Sequence, residues 1–324
     1  MTRPPAVVPV SRASALVLAI ASVAGLLVFA WPLLLQAPPA DSLAQGHTAD
    51  APFVFMVILP VLVVLVLAQI GDGGMDSRAL AMLGVLSAVN AAVRMLGAGT
   101  NGIETVFFLL ILAGRVFGPG FGFVLGNTSL FASALLTAGV GPFLPFQMLA
   151  AGWVGMLAGL LPRRVAGRAI TGVAEIALLI VYGIVAAYGF GLLMNLWFWP
   201  FVTGTGATGS SSSLLSYVPG APLGENLGRF LRFTLLTSTA WDTGRAVTNA
   251  LALALLGPAV LAVLRRAVRR AAFGAPVTFR PADAAAATGG VPARPGSPAE
   301  QQQYRGDAEQ GGGGQVDQRG DRAG

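Results

Sequence analysis

Polar and aromatic side chains set at the ends of long apolar runs are where this sequence could do chemistry. Asn90 and Arg94 lie one helical turn apart near the end of one run, and Glu104 opens the next. Phe143 and Gln147 precede a third run, Asn195, Trp197 and Trp199 close a long fourth, and Trp241 stands at the start of the last. These types belong to recognition rather than bond-making. Aromatic rings offer apolar area to a planar or macrocyclic ligand, while amide and guanidinium donors supply direction within a mostly apolar pocket. The topology set by the arginines, below, brings all nine to the outer end, beneath segments 36–50 and 199–235. A small inorganic ion would call for clustered charge, which that end lacks.

Catalysis is harder to build from these residues. An intramembrane enzyme, such as a lipid-modifying transferase, needs a nucleophile, a base or metal carboxylates at one depth. Asp72 and Asp76 come nearest to a carboxylate pair, and no second acidic pair accompanies them. Cysteine is absent and His47 is the lone histidine, so thiolate and multi-histidine metal sites are excluded. Gly120-x-Gly122-x-x-x-Gly126 has the wrong final spacing for a dinucleotide fingerprint, and no Gly-Lys-Ser/Thr follows it. No catalytic residue, metal or cofactor of its own is assigned. A structural subunit of a membrane complex is the third class the composition allows. Asp242 and Arg245 have the spacing of an i,i+3 ion pair, the expected fate of ionisable groups in a membrane helix.

The elements that carry these residues follow from composition. Hydrophobic residues make up 55% and charged residues 10%, against about 25% charge in soluble domains, and mean hydropathy is +0.72. The fold class is an all-α polytopic membrane protein. Apolar runs at 13–35, 53–70, 78–95, 102–117, 121–136, 146–161, 169–198 and 239–264 predict about eight spans. The run at 13–35 is longer than a signal-peptide core, which favours an uncleaved span over cleavage near residues 36–40. A pI near 10.9 invites a nucleic-acid reading. The basic residues are all arginine, however, and those near the membrane fall where inner loops would be, which is the positive-inside pattern. It places the cell-membrane protein with both termini, 71–78 and 162–168 in the cytoplasm and 199–235 outside. Residues 1–12 form a basic N-terminus, and 273–324 read as a disordered Ala-, Gly-, Gln- and Pro-rich tail.

Glycine organises the middle of the chain. Gly114, Gly118, Gly122 and Gly126 recur at every fourth residue, a spacing that lets helices approach closely in lipid. Gly118-Pro119-Gly120 predicts a break. Gly84, Ala88 and Ala92 repeat likewise; the spacing alone favours internal helix packing, and a docking strip for a partner membrane subunit is the sharper reading. Asn226–Ser238 has the pattern of a surface helix exposing Arg229 and Arg232.

Three segments carry a family resemblance. Ser87-Ala88-Val89-Asn90-Ala91-Ala92-Val93-Arg94, then Phe107–Phe123, then Ser133–Gly155 with Gly141-Pro142 and Pro145-Phe146-Gln147-Met148, resemble substrate-specific S components of energy-coupling factor (ECF) transporters, nearest to the actinobacterial type assigned to cobalamin. The match spans about residues 50–275. It implies a vitamin-capturing membrane subunit without ATPase activity, working with a transmembrane coupling subunit and ABC-type ATPases. By analogy Gly84, Ala88 and Ala92 correspond to the family's Ala-xxx-Ala docking strip, with glycine a departure at the first position. The resemblance also implies a six-helix core within 78–270, so the two N-terminal spans in 13–70 are additions to it.

Overall fold

The computed structural model describes residues 8, 10–34, 64, 66, 75–97, 102–203, 214–218 and 220–271. The expected span at 53–70, the 36–50 loop, His47, Asp72, residues 204–213 and the 273–324 tail lie outside the described residues. Among those described, the helices are α1 (Arg12–Leu34), α2 (Ser77–Gly97), α3 (Val106–Phe117), α4 (Pro119–Leu136), α5 (Leu144–Leu160), α6 (Val173–Thr203), α7 (Leu223–Thr237), α8 (Thr239–Leu255) and α9 (Gly257–Ala271). A two-stranded hairpin, β1 (Arg164–Val165) with β2 (Arg168–Ala169), separates α5 from α6.

The centre is α3, apolar on all sides but for Arg115 and buried at every position except Phe108. A helix hydrophobic all round belongs inside. It ends where the sequence predicts. Gly118 has φ +110, a region side chains disfavour, and Pro119 starts α4, where its missing N–H costs nothing. The two helices fold back on each other at this turn, with the Phe117 and Phe121 rings stacked at 4.4 Å. Behind them α5 lies backbone to backbone. A Cβ on Gly114 or Gly122 would strike the Gly155 carbonyl, one on Gly126 the Ala151 carbonyl, and one on Gly159 the backbone of Pro119. The four-residue glycine repeat thus packs α3 and α4 against α5, while Gly118 serves the turn instead.

The small residues of α2 behave differently. Gly84, Ala88 and Ala92 are exposed, and the buried face is Leu83, Leu86, Ser87, Asn90 and Ala91. Internal packing, favoured by spacing alone, is therefore carried by the neighbouring stripe. Polar bonds join that stripe to α4: Ser87 Oγ to Thr128 Oγ1 at 2.7 Å, Asn90 Nδ2 to Ser129 Oγ at 2.9 Å and Arg94 Nη1 to Ser133 Oγ at 3.0 Å.

Helices α1, α2, α4 and α6 are long and apolar enough to cross a membrane, and α8 with α9 would make a fifth span. That last pair departs from the single span expected at 239–264: it bends by 63° at Leu256-Gly257-Pro258, where proline cannot donate into the preceding turn. The outer surface suits hydrocarbon, with Leu16, Ile20 and Val23 of α1, Val85 of α2 and Val181 and Val185 of α6 all exposed. Helix α7 turns Phe230 and Phe233 inward, with Arg232 exposed as expected; Arg229 is half-buried, its side chain 2.7 Å from Glu225.

Candidate functional site

Four of the nine candidate residues line one cavity. Phe143 and Gln147, at the entry to α5, face Met194, Asn195, Trp197 and Phe198 near the end of α6, around a volume of about 310 Å³. Pro145 in the first turn of α5 fixes the approach of that helix. Trp197 is the central ring. It lies 6.4 Å from Phe143 and 5.5 Å from Phe146 by ring centroids, and 6.2 Å from Phe198 in a stacked arrangement. Phe146, Met194 and Phe198 were not singled out from the sequence. Their signal is the helical spacing: positions 194, 197 and 198 fall on one face.

Polar direction comes from Gln147. Its Oε1 accepts from Arg94 Nη2 at 3.4 Å, while Arg94 Nη1 is held by Ser133. Among the described residues its amide nitrogen has no acceptor. A cation donating to the carbonyl end of an amide polarises the other end into a better donor. Arg94 thus stands behind the cavity rather than in its wall. Asn90, fully buried, lies one turn further along the same polar stripe, and its Oδ1 has no partner among the described residues.

Asn195 has a second role in the scaffold, and Glu104, Trp199 and Trp241 lie away from the cavity wall. Asn195 borders the cavity, but its amide is engaged with α7 and the α7–α8 junction, donating to Ser238 Oγ at 2.7 Å and accepting from it at 3.0 Å. Glu104 does not face the cavity. It pairs with Arg245, whose Nη1 also reaches Asp242 Oδ1 at 2.7 Å, so the expected Asp242/Arg245 pair is present with Glu104 added. The guanidinium sits over Phe107 and Phe190 at 5.8 and 5.1 Å from their centroids. Trp199 is wholly buried in a separate cluster, donating to the Leu215 carbonyl at 2.7 Å and packed on Tyr217 and Phe230. Burial there pushes the Tyr217 phenol up. Trp241 is 43% exposed and lines no part of the cavity.

A second polar cluster was not paired in the sequence. Arg115 of α3 and Arg265 of α9 both bond Glu175 of α6, each at 2.8 Å. Among the described residues no group of three or more His, Cys, Asp or Glu side chains could hold a metal. The chain matches no protein-family model, no curated protein and no solved structure in comparisons with all three.

Proposed function

We propose that the chain is the substrate-binding membrane subunit of an ECF-type importer, capturing a vitamin from outside the cell for uptake powered by partner ATPases. The observation that carries this reading is the wall of the 310 Å³ cavity: aromatic rings, a thioether and two amides, without a nucleophile, acid or base. Such a wall holds a flat conjugated ligand by its faces and one edge acceptor through Gln147. It offers nothing with which to transform that ligand. The outward strip Gly84/Ala88/Ala92 supports the same reading, because it leaves a smooth helix face on which a coupling subunit can seat. In this proposal eight spans place both termini and 162–168 inside, and 199–235 outside.

Cobalamin is the ligand implied by the resemblance. The cavity volume favours a second, smaller ligand class. Small-molecule pockets run from about 300 to 1,000 Å³, and this one lies at the lower end, where a fused-ring vitamin of riboflavin size fits whole and a corrinoid would insert one edge. Calorimetric titration of purified protein with cobalamin, riboflavin and thiamine decides between them. Tight binding of either of the first two, weakened at least about tenfold by Trp197→Ala, is the expected result. Failure of all three to bind folded protein would sink the vitamin reading and restore the enzyme and structural-subunit alternatives.

A further inference from the structure

The end of the bundle that carries the β-hairpin holds a second cavity of opposite character. About 350 Å³ is bounded by Arg115, Arg163, Arg164, Arg265 and Arg269, with Glu175 the sole carboxylate in the wall among the described residues. Three of these arginines are fixed in place. Arg115 and Arg265 share Glu175, Arg115 Nη1 also donates to the Leu161 and Pro162 carbonyls at 3.0 and 3.1 Å, and Arg163 Nη2 donates to the Arg115 carbonyl at 3.0 Å. Arg164 and Arg269 are exposed at the rim and have no partner among the described residues. Among the described residues one carboxylate faces five guanidiniums in this space, two of them at the exposed rim, and it cannot neutralise them all. Arg163 is held below the ordinary arginine range, first by burial and then by the neighbouring Arg115 charge.

An anion in this cavity would remove the imbalance. Guanidiniums present planar forks of N–H donors that match phosphate oxygens in pairs. Thr171, just before α6, adds a hydroxyl, and the positive end of the 31-residue α6 lies at the same place. Val116 and Ile170 supply apolar wall beside the charges. We propose that this cavity binds a phosphate group, carried either by an anionic lipid headgroup or by a soluble phosphate compound. It is a different site from the aromatic cavity and stands whether or not that cavity takes a vitamin.

The test uses the full chain in detergent with three probes: phosphatidylglycerol, phosphatidylcholine and inorganic phosphate. Phosphatidylglycerol should raise the unfolding temperature and survive as a bound adduct in native mass spectrometry, while phosphatidylcholine, whose phosphate is offset by its own choline, should do neither. The double variant R164Q/R269Q should weaken phosphatidylglycerol binding about thirty-fold. The control R266Q/R270Q removes the same charge from exposed positions outside the wall, where solvent and salt screen it, and should weaken binding less than about threefold. Stabilisation by inorganic phosphate as well, lost in the same double variant, assigns the site to soluble phosphate; stabilisation by the lipid alone assigns it to a headgroup. Equal losses in the two double variants would overturn the proposal in favour of diffuse surface charge. So would equal retention of the two lipids by the wild type in an equimolar mixture, a readout independent of how any variant folds.

Discussion

Arg245 is the residue on which most depends. Its guanidinium is enclosed by Glu104, Asp242, the Ala187 carbonyl and two phenylalanine rings, and it joins the start of α3 to α6 and α8. Breaking a buried pair costs far more than the pair contributes, because the abandoned charge stays in a medium that cannot solvate it. Arg245→Met leaves two carboxylates facing each other and should destabilise by about 3–5 kcal/mol, read as a large fall in thermal unfolding temperature in detergent. Neutralising the abandoned partners as well, in R245M/E104Q/D242N, should recover much of the loss. A single variant as stable as the wild type would show that the trio carries no such load. The same arithmetic explains why Glu104 is engaged with Arg245 rather than facing the cavity. The sequence offered Asp242 as a partner three residues away, and nothing local announces a second carboxylate 141 positions distant. Trp197 and Trp199 make a related point. Two residues along a helix is about 200° of rotation, so equal depth sends one ring to the cavity and the other to the Tyr217 cluster.

Among elements, two helices carry stripes of small residues that look alike on paper and do different work. On α5, Gly155 touches the backbone of both α3 and α4; on α2, Ala88 faces outward. Enlarging each tests the distinction. Gly155→Val forces apart helices in backbone contact and should prevent stable folding or cost several kcal/mol, since overpacking a tight interface costs about 1–3 kcal/mol even where side chains can shift. Ala88→Trp should leave the unfolding temperature and ligand affinity of the isolated protein unchanged while abolishing co-purification with a coupling subunit. Retained association would remove the docking role, and loss of ligand binding as well would mean that α2 is built differently. Among the described residues the limits of α1 to α6 were legible to within a few residues, because Gly118-Pro119 and Pro145 act locally on φ and on the available donors, whereas the break at Gly257-Pro258 was not. Which small-residue face is covered was not legible. Spacing sets which residues share a stripe, whereas the polar bonds of Ser87, Asn90 and Arg94 to α4 decide which stripe turns inward.

At the scale of the whole molecule the two ends of the bundle are chemically unlike. One gathers Phe143, Trp197 and Phe198 around an amide donor, and the other gathers five arginines around Glu175. The apolar sides between them, with four or five helices long and apolar enough to cross a bilayer among the described residues, are consistent with a membrane protein, and the low charge of the composition points the same way. Orientation rests on a different force. Arginines resist translocation, so the end rich in them stays in the compartment where the chain is made. In the proposed topology that rule puts Arg163, Arg164, Arg168 and the arginines of α9 in the cytoplasm and opens the aromatic cavity outward, as the proposed capture of a ligand from outside requires. Because the chain has no cysteine, single cysteines report topology without background. Val165→Cys, exposed in the hairpin, and Gly224→Cys, exposed in the first turn of α7, should label differently with an impermeant thiol reagent on intact cells. Position 224 reacts at once, and position 165 only after the membrane is permeabilised. The reverse order would place the arginine-rich end outside, contrary to the charge rule, and would turn the aromatic cavity toward the cytoplasm, removing capture from outside as its function. Labelling of both in intact cells would mean that residues 165 and 224 share one face of the membrane, leaving α6 without a crossing and the proposed span count wrong.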